Sequence, residues 1–152
     1  MTPEETLEKL GFKLPTPARP LAAYVPTARA GDLVFVAGQL PLVDGALPQA
    51  GRVGADVTLV DAQGFARIAA LNALAALKAE LGELSRVKRV VRVGVFVASD
   101  DAFTDQPKVA NGASELLQQA FGERGRHARA AVGVNVLPLG APVEVEMMVQ
   151  VE

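Results

Sequence analysis

The chain has 152 residues, half of them hydrophobic, with no cysteine and a formal net charge of −2. This length predicts one domain with its own hydrophobic core, and the lack of cysteine excludes a disulfide framework, a thiolate nucleophile and a cysteine-based zinc site. The negative charge and the 5% aromatic content argue against a nucleic-acid binder, which usually has a basic surface and stacking aromatic rings. No apolar run is long enough to span a bilayer, and the acidic start does not resemble a signal peptide. We therefore expect a soluble cytoplasmic protein without membrane contacts.

The N-terminal segment predicts a short helix followed by an extended arm. Thr2-Pro3-Glu4-Glu5 is a capping box with proline at the first helical position, and this helix should end at Gly11. Residues 12–26 contain four prolines, which favour an extended conformation. Tyr24, the only tyrosine, lies near the end of this arm. It could pack the arm onto the domain or line a substrate cleft.

The middle of the chain predicts a strand, a loop with a weaker strand, and a long helix. Residues 33–37 are an apolar strand that ends at Gly38, where the missing side chain would let a ligand approach the backbone; a simple bulge is the alternative. Residues 46–53 predict the weaker strand. Thr58 caps a helix that should run to Leu81, because large apolar residues recur there at helical spacing.

A further strand and a further helix follow. Residues 84–98 alternate valine with other residues, which predicts a strand with one packed face. Asp105 and Pro107 mark the start of a helix that ends at Gly122. Asn111 lies in the first half of this helix, either at an ordinary exposed position or at a functional site.

The last quarter of the chain, residues 126–152, carries charged residues on apolar strands. Valines alternate with smaller residues before the proline-containing segment 137–142, and with glutamates after it, which predicts two strands joined as a hairpin. Arg129 opens the first strand and Glu144 lies early in the second. Hairpin pairing could therefore bring a guanidinium and a carboxylate to one end, where they could hold an anion and move a proton. A structural salt bridge or two solvated charges are the alternatives.

His127 is the only histidine and lies two residues before Arg129. If the strand has already begun, both side chains leave the same face. The imidazole could act as an acid or base. It could also be a hydrogen-bonded neighbour that orients the arginine.

Three segments resemble motifs of the YjgF/Rid family, the reactive-intermediate deaminases, whose members are also described as translation inhibitors or endoribonucleases. The segments are Gly38-Gln39-Leu40-Pro41, His127-Ala128-Arg129-Ala130-Ala131-Val132 with Leu137-Pro138, and Val143-Glu144-Val145-Glu146. Ala37 and Ala131 replace polar or thiol residues seen in many active relatives. The resemblance begins near Tyr24, so it divides the chain into an N-terminal helix and arm, residues 1–23, and a YjgF/Rid-like domain, residues 24–152.

The resemblance implies an α+β, chorismate-mutase-like fold with a mixed sheet and two main helices on one face. It also implies a homotrimer whose sheets pack around a central core, with sites at the subunit interfaces. The helices leave the other sheet face open, and we expect valine to line it. By itself, this apolar face indicates only self-association.

The implied reaction is the hydrolysis of enamines and imines, such as 2-aminoacrylate and 2-imino acids, to 2-keto acids and ammonia. No metal or organic cofactor is expected. Arg129 would bind the substrate carboxylate, Glu144 would orient or activate water, and the backbone at Gly38 would position the imine. The further candidates for substrate binding are Tyr24, Asn111 and His127.

Two other classes of function stay open. The first is a non-catalytic trimer that binds small carboxylates or keto acids. The second is RNA cleavage, to which His127 and the arginines around it could contribute, although one histidine and a negative net charge argue against it. Chorismate mutation would rest on fold analogy alone.

Overall fold

The computed structural model describes residues 1–19 and 22–152. These residues contain five β-strands and three α-helices. Their order is α1 (Pro3–Lys9), β1 (Thr27–Ala30), β2 (Leu33–Gln39), α2 (Leu59–Leu81), β3 (Val87–Ala98), α3 (Gln106–Phe121), β4 (Ala128–Val134) and β5 (Val143–Val151). Short 3-10 turns occur at Leu84–Arg86, Gly122–Gly125 and Pro138–Gly140. The described part of the predicted arm has no helix or strand; Pro20 and Leu21 of that arm lie outside the described residues.

The helices begin at the residues that the sequence predicts, and α2 and α3 also end as predicted, whereas α1 ends at Lys9 rather than at Gly11. The Thr2 side chain accepts from the Glu5 backbone while the Thr2 backbone donates to the Glu5 carboxylate, which completes the capping box of α1. The Thr58 side chain accepts from the Asp61 backbone at the start of α2. Gly82 ends α2 with φ of 87°, in the left-handed region that glycine adopts without a steric penalty. Local capping chemistry therefore sets these helix ends.

The sheet has the strand order β1-β2-β5-β3-β4, and this order makes the predicted hairpin wrong. β4 pairs in parallel with β3, whereas β5 lies in the centre, antiparallel to both β2 and β3. Pro138, Leu139 with φ of 61° and Pro142 keep the connection out of a tight hairpin, and it carries the chain past β3. The apolar side chains of β5 are buried at every second residue, as a central strand requires.

The weaker strand predicted at residues 46–53 is also wrong. This segment contains Pro48 and Gly51, which interrupt a ladder, and only single bridges form near its ends. Val53 nevertheless joins the loop to the end of β3, because its N–H donates to the Ala98 carbonyl at 2.8 Å. The additional strand is β1, which pairs with β2; its residues are half-buried or exposed and give no alternating pattern in the sequence.

Helices α2 and α3 cover one face of the sheet, as predicted, and the hydrophobic core lies between the two layers. Their backbones approach closely at Gly112, where an added Cβ would overlap the Gln63 carbonyl of α2. Helix α1 also joins the core, since Leu7 is fully buried and the Glu4 carboxylate accepts from the Leu84 backbone at 2.7 Å. The division between residues 23 and 24 stays a prediction.

The opposite sheet face, here called the open face, has no covering layer among the described residues. Phe35 and Val132 on this face are 44% and 46% exposed. The expectation that valines line it is wrong, because the buried valines of β3 and β5 point to the helices. Glu146 and Arg92 form an ion pair of 3.4 Å on the open face. Within the described ranges, no helix has both the length and the apolar character needed to cross a bilayer.

Candidate active site

A cleft of about 430 Å³ lies between the N-terminal arm and the ends of β2 and β5. It brings together three of the residues predicted from sequence, Tyr24, Gly38 and Glu144. Most of the remaining wall is apolar, and Arg19 and Gln39 add polar groups. The residues that complete the lining are Ala18, Arg19, Ala22, Pro26, Gln39, Leu40, Leu42 and Pro138. The arm is therefore one wall of the cleft, and Tyr24 lines it.

Gly38 lies where β2 departs from regular pairing with β5. The ladder shifts register between Val36 and Gln39, so this part of β2 is a bulge. The Glu144 side chain fills the space above Gly38, since an ideal Cβ there would lie 2.8 Å from Glu144 Cδ. Glycine at this position therefore lets the carboxyl group lie against the backbone at the end of β2.

The environment of Glu144 shifts the pKa of its carboxyl group. Burial raises the pKa of Glu144 above its ordinary value of 4.5, and the negative charge of Glu146 raises this pKa further. Glu146 follows two residues later on the same strand face, and Arg92 pairs with Glu146. A carboxylate with a raised pKa is a stronger base than an ordinary glutamate, which suits proton transfer near neutral pH.

Arg129 lies on the edge strand β4, and its side chain points to α3. Its Nη1 donates to Asn111 Oδ1 at 2.8 Å and to Ser114 Oγ at 3.1 Å, and its Nη2 donates to the Pro107 carbonyl at 3.3 Å. Helix α3 supplies all three acceptors. Among the described residues Nε and the second Nη2 hydrogen have no acceptor, so one edge of the guanidinium stays free for a carboxylate.

Ser114 links His127 to Arg129 by hydrogen bonds. The Nδ1 of His127 lies 2.7 Å from the Gly125 carbonyl, which can only accept, so Nδ1 carries the hydrogen. Nε2 then accepts from the Ser114 hydroxyl at 2.8 Å, and the same oxygen accepts from Arg129. Burial lowers the pKa of His127, the hydrogen bond to the Gly125 carbonyl partly opposes this shift, and the charge of Arg129 lowers the pKa further, so the surroundings favour the neutral ring. The structure thus places His127 as the hydrogen-bonded neighbour of the arginine site.

The six predicted site residues fall into two groups on opposite faces of the sheet. Glu144 alternates with the buried residues Val143 and Val145 and so faces away from the helices, whereas Arg129 contacts α3. Strand β3 separates them, with Arg129 opposite Val93 on that strand. Glu144 lies opposite the residue three positions further along, roughly 10 Å away in the strand direction. The expectation that one hairpin end brings Arg129 and Glu144 together is therefore wrong.

Two residues of these groups were not predicted. Ser114 lies three positions after Asn111, which is the helical spacing that places both on one face. Asn72 is a buried amide within the alanine- and leucine-rich α2, and it donates to the Leu40 and Leu42 carbonyls at 2.9 and 3.0 Å. It thereby fixes the cleft wall that follows Gly38. A polar residue inside an apolar helix was the available signal for Asn72.

The mixed five-stranded sheet with its helices on one face defines an α+β protein of the chorismate-mutase-like fold. The chain belongs to the family described as YjgF/chorismate mutase-like, putative endoribonuclease, whose model matches residues 4–151. It is 48% identical over 145 residues to Protein TCP17 of Trypanosoma cruzi, covering 95% of this chain and 91% of that protein.

Two solved structures are similar over almost the whole chain. A protein of unknown function from Agrobacterium tumefaciens is 45% identical, with a TM-score of 0.93, over 99% of this chain and 94% of that one. A protein from Shewanella oneidensis MR-1, described as a putative endoribonuclease, is 36% identical, with a TM-score of 0.97, over 99% and 100% of the two chains. Both alignments include nearly all of the N-terminal segment.

Proposed function

We propose that this protein hydrolyses reactive enamines and 2-imino acids to 2-keto acids and ammonia. The observation that supports the proposal best is the arrangement of Arg129, whose guanidinium is held by α3 with one edge free. A planar guanidinium with a free Nε–Nη2 edge matches the two oxygens of a substrate carboxylate. The raised pKa of Glu144 supports the second requirement, a base for water.

The proposed reaction follows from these groups. Arg129 binds the carboxylate, and the backbone at the Gly38 bulge positions the C=N group. Glu144 takes a proton from water while the oxygen attacks the C=N carbon, and it passes this proton to the imine nitrogen, which gives a carbinolamine. The Glu144 carboxylate then takes the hydroxyl proton of the carbinolamine and passes it to the amine nitrogen, so that the C=O bond forms, the C–N bond breaks, and ammonia leaves with a 2-keto acid. Because the substrate is intrinsically reactive, positioning and one base are sufficient.

We further propose that the complete site forms between subunits of a homotrimer. One chain carries Arg129 and Glu144 on opposite sheet faces, so neither group completes a site with the other. The edge strand β4 has a free side among the described residues, and the adjacent open face exposes Phe35 and Val132. A neighbouring copy could therefore bring its cleft to Arg129 and bury this apolar surface.

Imine hydrolysis is the direct test. An amino-acid oxidase generates 2-imino acids from several L-amino acids, and semicarbazide competes for them, so an active protein lowers semicarbazone formation. We expect this decrease with wild type and not with Arg129→Ala. Arg126→Ala is the matched control, because Arg126 is a nearby exposed arginine that pairs with Glu123 at 3.6 Å. Full activity of Arg129→Ala in an intact oligomer would refute the assignment.

Mixed oligomers test the position of the site. Arg129→Ala and Glu144→Gln subunits, each inactive alone, are unfolded together and reassembled. A site shared between two subunits would then be complete at about one interface in four in a random mixture. Activity confined to the mixture would support the shared site, and an inactive mixture of correct size would contradict it.

Two other functions would give different results. A non-catalytic carboxylate binder would be stabilised thermally by keto acids but would leave semicarbazone formation unchanged. RNA cleavage, which the family description suggests, would need a proton-transfer group near a phosphate. Both His127 nitrogens are already engaged, by Gly125 and by Ser114, which disfavours this histidine as that group.

A further inference from the structure

The guanidinium of Arg129 is held by a defined chain of hydrogen bonds rather than by an ion pair. The chain runs from the Gly125 carbonyl through the His127 ring to the Ser114 hydroxyl and ends at Nη1 of Arg129. The Ser114 hydrogen points to His127, which leaves the oxygen lone pairs for Arg129. No carboxylate among the described residues is within ion-pair distance of Arg129, so the full positive charge stays available for an anion.

We propose that Ser114 and His127 are positioning residues for Arg129, and that the neutral His127 ring keeps the guanidinium oriented for carboxylate binding. The inference rests on the proposed function and extends it, because it names what holds the carboxylate anchor. Pro107, Asn111 and Ser114 lie on successive turns along one face of α3, and each accepts a hydrogen bond from the guanidinium. Three acceptors at different positions define both the direction and the plane of the group.

A serine next to a histidine also suggests a nucleophile, and the geometry argues against that role. Ser114 is only 6% exposed and lies within α3. Its oxygen accepts from Arg129 Nη1, so an attacking lone pair would have to give up that contact. The pair therefore acts on the arginine and not on a substrate.

The arrangement requires an uncharged imidazole. A protonated ring would have hydrogens on both nitrogens, so Nε2 would donate to Ser114, and the serine hydrogen would have to turn away. The imidazolium would also repel Arg129 across the serine oxygen. The other charged side chains that line the depression at His127 are Lys88 and Arg89 on β3 and Glu123, Arg124 and Arg126 before β4. The single acid, Glu123, pairs with Arg126, so this surrounding opposes protonation.

Replacements of His127 separate the two ring nitrogens. A glutamine side chain in its place would put an acceptor near the position of Nε2. An asparagine side chain, which is one carbon shorter, would put a donor toward the Gly125 carbonyl without an acceptor for Ser114. We therefore compare His127→Gln, His127→Asn and Ser114→Ala in the assembled protein. Melting temperature and size-exclusion chromatography verify that each variant folds and assembles.

The expected results differ between the variants. Ser114→Ala should weaken binding of pyruvate and raise KM about tenfold, with a smaller change in kcat, because one hydrogen bond to a charged group is lost. His127→Asn should act in the same direction, because the Ser114 hydroxyl loses the acceptor that orients it toward His127. His127→Gln should remain within about threefold of wild type, since it preserves an acceptor for the Ser114 hydroxyl. The Arg129 Hη protons should give separate NMR signals in wild type and His127→Gln, and averaged signals in Ser114→Ala. At acid pH, KM should rise in wild type but not in His127→Gln.

Several outcomes would overturn the inference. Unchanged pyruvate affinity and Arg129 signals in Ser114→Ala would show that the serine does not position the guanidinium. Equal losses in His127→Gln and His127→Asn would show that the ring has a role other than accepting from Ser114. Labelling of Ser114 by a fluorophosphonate would identify a nucleophile instead. If wild type hydrolyses no imine, the proposed function fails, whereas pyruvate affinity and the NMR signals still test the positioning.

Discussion

The contact between Gly38 and Glu144 predicts that one added methyl group will separate activity from stability. In Gly38→Ala the new Cβ would lie 2.8 Å from Glu144 Cδ and 3.1 Å from Cγ, both closer than an ordinary contact. The backbone of Gly38 does not have a positive φ, so alanine itself is not strained there. The carboxyl group must therefore move by about 1 Å, and a displacement of this size costs about 100-fold in rate.

The cost in stability should be small by comparison. Overpacking costs about 1–3 kcal/mol, and we expect the lower end because the Glu144 side chain is half-buried and can turn toward solvent. For a chain of this length, about 1 kcal/mol corresponds to a decrease in melting temperature of about 2–4 °C. The double variant Gly38→Ala/Glu144→Ala removes the clash, so the methyl group should no longer lower the melting temperature in that background.

Gly94→Ala is a matched control for this experiment. Its Cβ would meet Glu146 Oε1 and Arg92 Nη1, each at 2.9 Å, on the same sheet face, and Glu146 affects the proposed base only through its pKa. Imine hydrolysis and melting temperature are measured for both variants after their oligomeric size is verified. Wild-type activity in Gly38→Ala, or an equal loss in Gly94→Ala, would refute the assignment of Glu144 as the base.

Two further predictions concern the same cleft. If ionised Glu144 is the base, kcat should fall as pH decreases through the raised pKa of Glu144. Glu146→Gln removes a negative charge that raises this pKa, so the fall in kcat should move to lower pH. A pH–rate profile that does not move would contradict this electrostatic account. Asn72→Ala leaves the Leu40 and Leu42 carbonyls without their buried donor and should lower the free energy of unfolding by about 2–4 kcal/mol. Denaturant unfolding measures this loss, and an unchanged midpoint would show that water or another group replaces the amide.

The helices and the faces of individual strands could be predicted from local patterns. Capping residues Thr2 and Thr58 and the stop at Gly82 lie next to the ends that they define, so a short window of sequence contains the information. Alternation along β5 likewise identifies its buried side chains. These features depend on neighbours within a few residues, and they are confirmed.

Strand order could not be predicted in the same way. The turn at residues 137–142 separates two strands that never pair, and the pairing of β4 with β3 depends on contacts about 35 residues apart in the chain. Strand β1 is short and largely exposed, so it leaves no alternation to detect. Ser114 gives no signal by itself either, because its role depends on the side chains of His127 and Arg129, which the fold brings to it.

The incorrect hairpin bears directly on function, because a true hairpin would have allowed one chain to hold a complete site. With β5 in the centre and β4 at the edge, Arg129 and Glu144 lie on different faces of a single sheet. The features that would hold each group in place are separate as well: α3 and His127 position Arg129, whereas the Gly38 bulge accommodates Glu144. Each half is ordered without the other, so assembly would bring together two preformed halves. With a shared site of this kind, activity would depend on the same open-face contacts that would hold the oligomer together.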